Sequence, residues 1–309
     1  MNMDSLTLKL KDPFGKVEKD KFSSEDFKQS IKKISSKLLK DRFQYQAVIM
    51  AAGRGSRMKI KYPKALYEFN YPNERKSILS NTISLINQLD RKVTEIFVVI
   101  REDDLHFFKE LSLAKKVKLI TLPSEEIRGT AVCLDKISPL LKRDTHLLLF
   151  WGDLVLLPKS DILLSIKVHE ILENSLTFPT RYKINPYVAF IRNREGLFSS
   201  VVHSNEKGVY SDWAEQDCSF FILNFTIISQ VKEFIKLFSS KNFSSKEGEI
   251  DFIHFITYLS NLEEEVCGLP IVNDNYVYDV NTPASATEIQ NNLNKLDEHT
   301  YKKVFLSNS

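Results

Sequence analysis

"AVIMAAGRGSRMKIKYPKAL" covers residues 47–66 and changes character halfway. Its first six residues are all apolar, as expected of a central parallel strand covered on both faces. Gly53 and Gly55 follow, then two spaced cations, Arg57 and Lys64, the latter directly behind Pro63. A strand running into glycines predicts a tight loop at the carboxyl edge of a sheet, where ligands of open α/β sheets bind. Glycine gives access to positive φ and lets the backbone come close to a ligand. Successive amides in such a loop form a nest for phosphate oxygens. With two full charges alongside, the expected guest is a polyphosphate.

The spacing rules out two familiar phosphate loops. It is not G-x-x-x-x-G-K-[ST], and Met58 stands where G-x-G-x-x-G needs its third glycine.

Outward from this loop, strands and helices alternate. "TEIFVVI", "VKLITLP", "HLLLFWG" and "LTFPTRY" read as strands. "KSILSNTISLINQLDR", "DDLHFFKELSLA", "AVCLDKISPLLK" and "DILLSIKVHEILEN" read as helices. Beyond Asn185 three strands, "YVAFIRN", "FSSVVH" and "SFFILNF", lie close in sequence and suit antiparallel pairing. Helices follow near 229–238 and 250–262, with a polar loop at 239–249 between them. "NYVYDV" is a late strand, and "PASATEIQNNLNKL" a closing helix with Pro283 near its first turn. The expected fold is α/β, a Rossmann-like mixed and mostly parallel sheet flanked by helices.

Ahead of the alternation, residues 1–22 are polar and lysine-rich and are expected to be loose. Phe27, Ile31, Ile34 and Leu38 recur at helical spacing, and Ser23 with Asp26 gives a start signal. An amphipathic helix is therefore expected over 24–41. The division expected is an extension, 1–45, and a single domain, 46–309. The apolar stripe should pack on the body, with a homo-oligomer contact as the alternative.

Composition narrows the class. The 309 residues carry a net charge of +3, so no global field favours nucleic acid or an anionic membrane. Cys133, Cys218 and Cys267 stand far apart without metal-ligand spacing, which suits a reduced, cytoplasmic protein. The start shows no apolar leader core. The longest apolar run, "LLLFWGDLVLLP", holds Asp153 and falls short of the roughly 20 residues a membrane span needs.

Taken whole, "AAGRGSRM", four residues, then "PKAL" resembles the signature of the nucleotidyltransferases that make nucleoside-diphosphate sugars. The likeness is greatest to the uridylyltransferase domain of N-acetylglucosamine-1-phosphate uridylyltransferases. "RGTAVCL" (128–134), "WGDLVLL" (151–157), "NPYVAFI" (185–191) and "YDVNTPASA" (278–286) resemble further family segments in the same order. The resemblance implies Mg²⁺-dependent nucleotidyl transfer, UTP favoured, to a sugar 1-phosphate, with release of pyrophosphate. It implies that Ala51, Ala52, Gly53, Gly55 and Ser56 bind the nucleotide phosphates, with Gly129 and Thr130 beside the base. Arg57 and Lys64 are implied to act on the triphosphate, Asp153 and Asn281 to hold magnesium, and Asn185 and Ser219 to meet the acceptor.

The chemistry suits that set. Donor and acceptor are both anionic, so repulsion is the first obstacle, and positioning with charge stabilisation carries phosphoryl-type transfer. An ordinary acceptor phosphate, with a second pKa of roughly 6, is already mostly ionised and needs no general base.

Departures gather on the specificity side. Tyr187 and Val188 follow Asn-Pro where relatives carry glycine, and His203 replaces a glutamate. Ser219-Phe220-Phe221 replaces Asn-x-Gly, and Ser124 replaces a glutamine. "PKAL" also resembles phosphocholine cytidylyltransferases, so another phosphorylated acceptor is an alternative. A nucleotide-binding regulatory module without catalysis is the rival class. No left-handed β-helix repeats follow, so no acetyltransferase half is expected. Each residue also has a plainer reading: Asp153 as a helix cap, Asn281 as a turn residue with Asp279 in its metal role, and His254 as packing.

Overall fold

The computed structural model describes residues 3–15, 17–36, 43–89, 91–109, 111, 113–204, 210–240, 249–273 and 278–307. The first strands are β1 (Tyr45–Met50), β2 (Glu68–Asn70), β3 (Arg75–Ser77), β4 (Val93–Arg101) and β5 (Val117–Leu122). Next come β6 (His146–Trp151), β7 (Leu154–Leu156), β8 (Leu176–Ile184), β9 (Val188–Arg192) and β10 (Phe198–His203). The last are β11 (Trp213–Asp217), β12 (Phe220–Leu223), β13 (Val266–Leu269) and β14 (Tyr278–Asp279).

Ten strands form one mixed sheet in the order β10-β9-β11-β8-β12-β6-β1-β4-β5, with β13 paired to β8. The half around β1 is parallel: β1 pairs with β4 and β6, and β4 with β5. The half beyond β6 is antiparallel, apart from the parallel β8–β13 pair. All six β1 residues are buried. Ala47 and Ile49 face one apolar core, Val48 and Met50 the other, so the strand is covered on both faces as its sequence requires.

Helices α1 (Met3–Lys11), α2 (Ser24–Ser35), α3 (Ile78–Gln88) and α6 (Lys159–Leu172) are joined by α4 (Leu105–Phe108) and α5 (Thr130–Ile137). α5 and the helix Phe252–Asn261 contribute to one core, while α1, α2, α3 and α6 contribute to the other. The closing helix, Pro283–Asn294, joins a third cluster with Met58, Phe69 and Val155.

The extension differs from expectation. Residues 3–11 form a helix whose Leu6 and Leu10, one turn apart, are buried in the main core. Phe14 and Phe22 pack on Tyr182, with ring centroids 4.3 and 5.4 Å away. Four apolar side chains hidden among lysines are enough to fold a segment whose composition reads as loose. α2 starts where expected, the Ser23 hydroxyl accepting the Asp26 amide at 3.1 Å. Residues 37–41 of that expected helix lie outside the described residues, as do 241–248 of the polar loop and 275–277 of the late strand. α4 is a single turn where a longer helix was expected. No helix among the described residues is long and apolar enough to cross a membrane.

Candidate active site

β1, β4 and β6 end nearly level, with Met50 opposite both Trp151 and Val99. Everything that leaves these strands at the carboxyl edge therefore meets in one place. The loop after β1 keeps Ala51 on the sheet through Val99 O at 2.9 Å. It turns at Gly55, whose φ of +59° is the conformation glycine allows, into a short 3₁₀ turn, Ser56–Met58. Met58 N–H closes that turn on Gly55 O at 2.8 Å. Among the described residues, the amides of Ala52 to Gly55 have no backbone carbonyl partner. They are the donors that a phosphate nest requires. Gly53 needs no positive φ.

On the next strand, Gly152 follows β6 and donates to Met50 O at 2.9 Å. Asp153 comes next and runs into β7, so it does not cap α6, which begins at Lys159 behind Pro158. Its carboxylate meets the first loop: Lys64 Nζ lies 2.7 Å from Asp153 Oδ2 and 3.3 Å from Asn281 Oδ1. Arg57 reaches the same Asn281 oxygen at 3.2 Å, and the Tyr187 hydroxyl at 3.2 Å. Asn281 can face the cations because Thr282, with Ser285, caps the closing helix in its place. β14 sets its position by pairing with β7, and Val280 N–H binds Asp153 O at 3.2 Å.

A third wall comes from α5. Gly129 has φ +96°, and a Cβ there would lie 2.4 Å from Ile250 O. Only glycine fits, for both reasons. Thr130 opens α5, and its hydroxyl accepts the Phe252 amide at 2.8 Å and lies 3.4 Å from Asp251 Oδ1. The Thr130 side chain thus holds the wall in place.

Together these segments enclose a cleft of about 640 Å³. Ala51, Ala52, Gly53, Gly55 and Ser56 line it, as do Arg57, Lys64, Gly129, Thr130, Asp153 and Asn281. Asn185 and Ser219 are not in its walls. Asn185 sits exposed in the β8–β9 turn with φ +53°. Ser219 is buried behind the site and donates to Asp279 Oδ1 at 2.9 Å. Sequence reasoning missed Arg101, Trp151 and Asp251 as wall residues. Arg101 and Trp151 end apolar strands at the loop edge, the signal that drew attention to Asp153. Cys133 also lines the cleft, but burial pushes its thiol up to about 11, so it supplies no thiolate nucleophile.

The acids differ in what they can offer a cation. Both Asp279 oxygens are engaged, one by Ser219 and one by Arg181 at 3.6 Å. Burial, then the neighbouring Asp153 charge, raises the Asp279 carboxyl above the ordinary range. Asp153 Oδ1, by contrast, is buried without a hydrogen-bond partner among the described residues. A carboxylate oxygen so placed is costly unless something positive meets it. One carboxylate and one amide oxygen suit Mg²⁺, which keeps most of its shell for phosphates and water.

Comparison with known proteins agrees with this geometry. The model of the IspD family, 2-C-methyl-D-erythritol 4-phosphate cytidylyltransferase, matches residues 45–171. The bifunctional protein GlmU of Blochmanniella pennsylvanica is 24% identical over 163 residues, 52% of this chain and 34% of that protein. The GlmU of Acholeplasma laidlawii is 25% identical over 242 residues, 76% and 48% respectively. The chain is thus similar to nucleotidyltransferases, the family model matching it over residues 45–171. It spans a third to a half of these GlmU relatives. The same fold appears in HddC from Yersinia pseudotuberculosis, with TM-score 0.55, 15% identity, and coverage of 80% of this chain and 99% of that one. It appears too in the CTP:phosphocholine cytidylyltransferase LicC of Streptococcus pneumoniae, with TM-score 0.55, 14% identity, and coverage of 81% and 99%.

Proposed function

We propose that the protein transfers a nucleotidyl group from a pyrimidine nucleoside triphosphate to a phosphorylated small molecule, releasing pyrophosphate. The observation that carries this reading is the meeting of Lys64, Arg57, Asp153 and Asn281 over the glycine loop. An acceptor phosphate oxygen attacks the α-phosphorus, the bond from that phosphorus to the bridging oxygen breaks, and the electron pair leaves with pyrophosphate. The loop amides hold the triphosphate. Arg57 and Lys64 neutralise the charge that grows on the departing group. Asp153 and Asn281 would hold a magnesium ion, which supplies charge neutralisation between the two anions. Tyr187 lies beside Arg57 and 4.9 Å from His203 between ring centroids, a surface suited to the acceptor's organic part.

A sugar 1-phosphate is the first acceptor to try, on the GlmU likeness. Names of the structural neighbours add phosphocholine and inositol 1-phosphate as acceptors, and CTP beside UTP as donor. Pyrophosphate release, measured for four nucleoside triphosphates against these acceptors with Mg²⁺, tests the reading. Nucleotide binding without release for any pair would favour a binding module instead. The extension is proposed to serve the fold, since the phosphate-handling residues all follow it.

A further inference from the structure

Arg101 is the last residue of β4 and lines the cleft. It is only 8% exposed, yet its Nε finds no hydrogen-bond partner among the described residues. Burial, and Arg54 beside it, lower its pKa from the arginine range. β4 is otherwise apolar and buried from Ile96 to Ile100.

Its position says what it meets. β1 lies between β6 and β4 in the sheet. Asp153, with Lys64 and Asn281, gathers on the β6 side. Arg101 emerges on the other side, next to the α5 wall and in the electrostatic reach of Cys133 and Glu249. A nucleotide with its phosphates over β1 and β6 would extend its nucleoside toward β4. Glu249 and Asp251 line the same end, and Asp251 already meets Thr130. That end therefore combines a donor-only fork with carboxylate acceptors.

We propose that Arg101 reads the nucleobase and, with the Glu249 and Asp251 carboxylates, selects cytosine. This rests on the nucleotidyltransferase reading above. Cytosine presents two adjacent acceptors, O2 and N3, to a guanidinium fork, and its exocyclic amine is the group a carboxylate accepts from. Uracil would turn its N3–H against the guanidinium donors and its O4 against the carboxylates, leaving polar groups unpaired.

The test is calorimetric titration of CTP, UTP, GTP, ATP and inorganic tripolyphosphate, with Mg²⁺, into the unmodified protein and into Arg101→Met and Arg101→Lys. The expected result is tightest binding of CTP by the unmodified protein. Arg101→Met should lose on the order of ten- to a hundredfold of the preference for CTP over UTP. Arg101→Lys keeps the charge in a buried position but lacks the fork, so it should lose preference too and guards against a fold defect in the methionine variant. Tripolyphosphate should bind all three alike. A parallel loss of tripolyphosphate binding would make Arg101 a phosphate ligand and overturn the proposal. So would preference for another triphosphate, or a preference that survives both substitutions. Failure of all four triphosphates to bind the unmodified protein overturns the nucleotide reading itself, and this inference with it.

Discussion

Gly152 and Met50 are bound at the junction of two parallel strands: the Gly152 N–H meets Met50 O at 2.9 Å, and a Cβ on Gly152 would stand 2.7 Å from that same oxygen. The phosphate loop and Asp153 are thereby held one backbone width apart. Gly152→Ala must push β1 and β6 apart, because the obstructing atoms are backbone. We expect a loss of about 1–3 kcal/mol of stability, as for other overpacked sites, with weakened nucleotide binding. Thermal melts with and without nucleotide measure both; an unchanged midpoint and affinity would show that the junction yields freely.

Asp153→Asn keeps the shape of the side chain and removes its charge. The unpaired Oδ1 then no longer belongs to a carboxylate. The variant should fold, and its turnover should fall about a hundredfold or more. Partial recovery at raised Mg²⁺, or with Mn²⁺, is expected in a pyrophosphate-release assay. Normal turnover with an unaltered Mg²⁺ dependence would move the metal role to Asp279 and Asn281.

Lys64→Ala should separate metal binding from turnover. Lys64 Nζ now holds Asp153 Oδ2 at 2.7 Å, in direct competition with any second cation. Removing it should lower turnover about a hundredfold while tightening Mn²⁺ binding to the free protein. Paramagnetic titration of Mn²⁺ reads the second effect. Weaker Mn²⁺ binding would indicate that Lys64 shapes the site and does not compete for it.

Lys28 on α2 is ion-paired with Asp161 on α6, whose side chain is 2% exposed. Burial raises the Asp161 carboxyl to about 6 even though Lys28 pulls it down. A raised folded-state pKa means that Asp161 favours the fold most when protonated, and that this contribution is lost as pH rises through about 6. Lys28→Met would raise it further. The variant should therefore lose more stability at pH 8, about 3–5 kcal/mol, than at pH 5, where Asp161 is neutral. Denaturant midpoints at the two pH values decide it; equal losses would mean that the pair contributes through packing alone.

Most of the parallel half was legible because its strands are apolar runs bounded by turn residues. β11 was not. It reads Trp-Ala-Glu-Gln-Asp, yet Glu215, Gln216 and Asp217 are all buried. Glu215 is matched by Arg192 and Thr180 on the two neighbouring strands, both far from it in sequence, and such partners leave no periodic trace. The phosphate side of the cleft was legible for the opposite reason: Gly53 to Lys64 is one continuous string, folded on itself. Asn185 and Ser219 were inferred by likeness to relatives, and in this chain the first sits in an exposed turn and the second behind Asp279. Tyr187, noted only as a departure, meets Arg57 beside Asn281.

The contacts of the extension also bear on the order in which the chain assembles. α1 lies against β13 and the β9–β10 turn, where Leu10 O accepts from Arg192 and Gly196 passes so close that a Cβ would meet Lys11 O at 2.1 Å. α2 is fixed to α6 through Asp161. Both helices are therefore synthesised well before the surfaces that bind them. During translation they must wait, with Leu6, Leu10, Phe27 and Ile31 uncovered, until α6 and then β13 emerge. Closing such long loops is slow, and exposed apolar surface in the interval invites association with other chains. The interspersed lysines, eight among residues 9–33, keep that waiting segment charged and apart from its neighbours until its partners arrive.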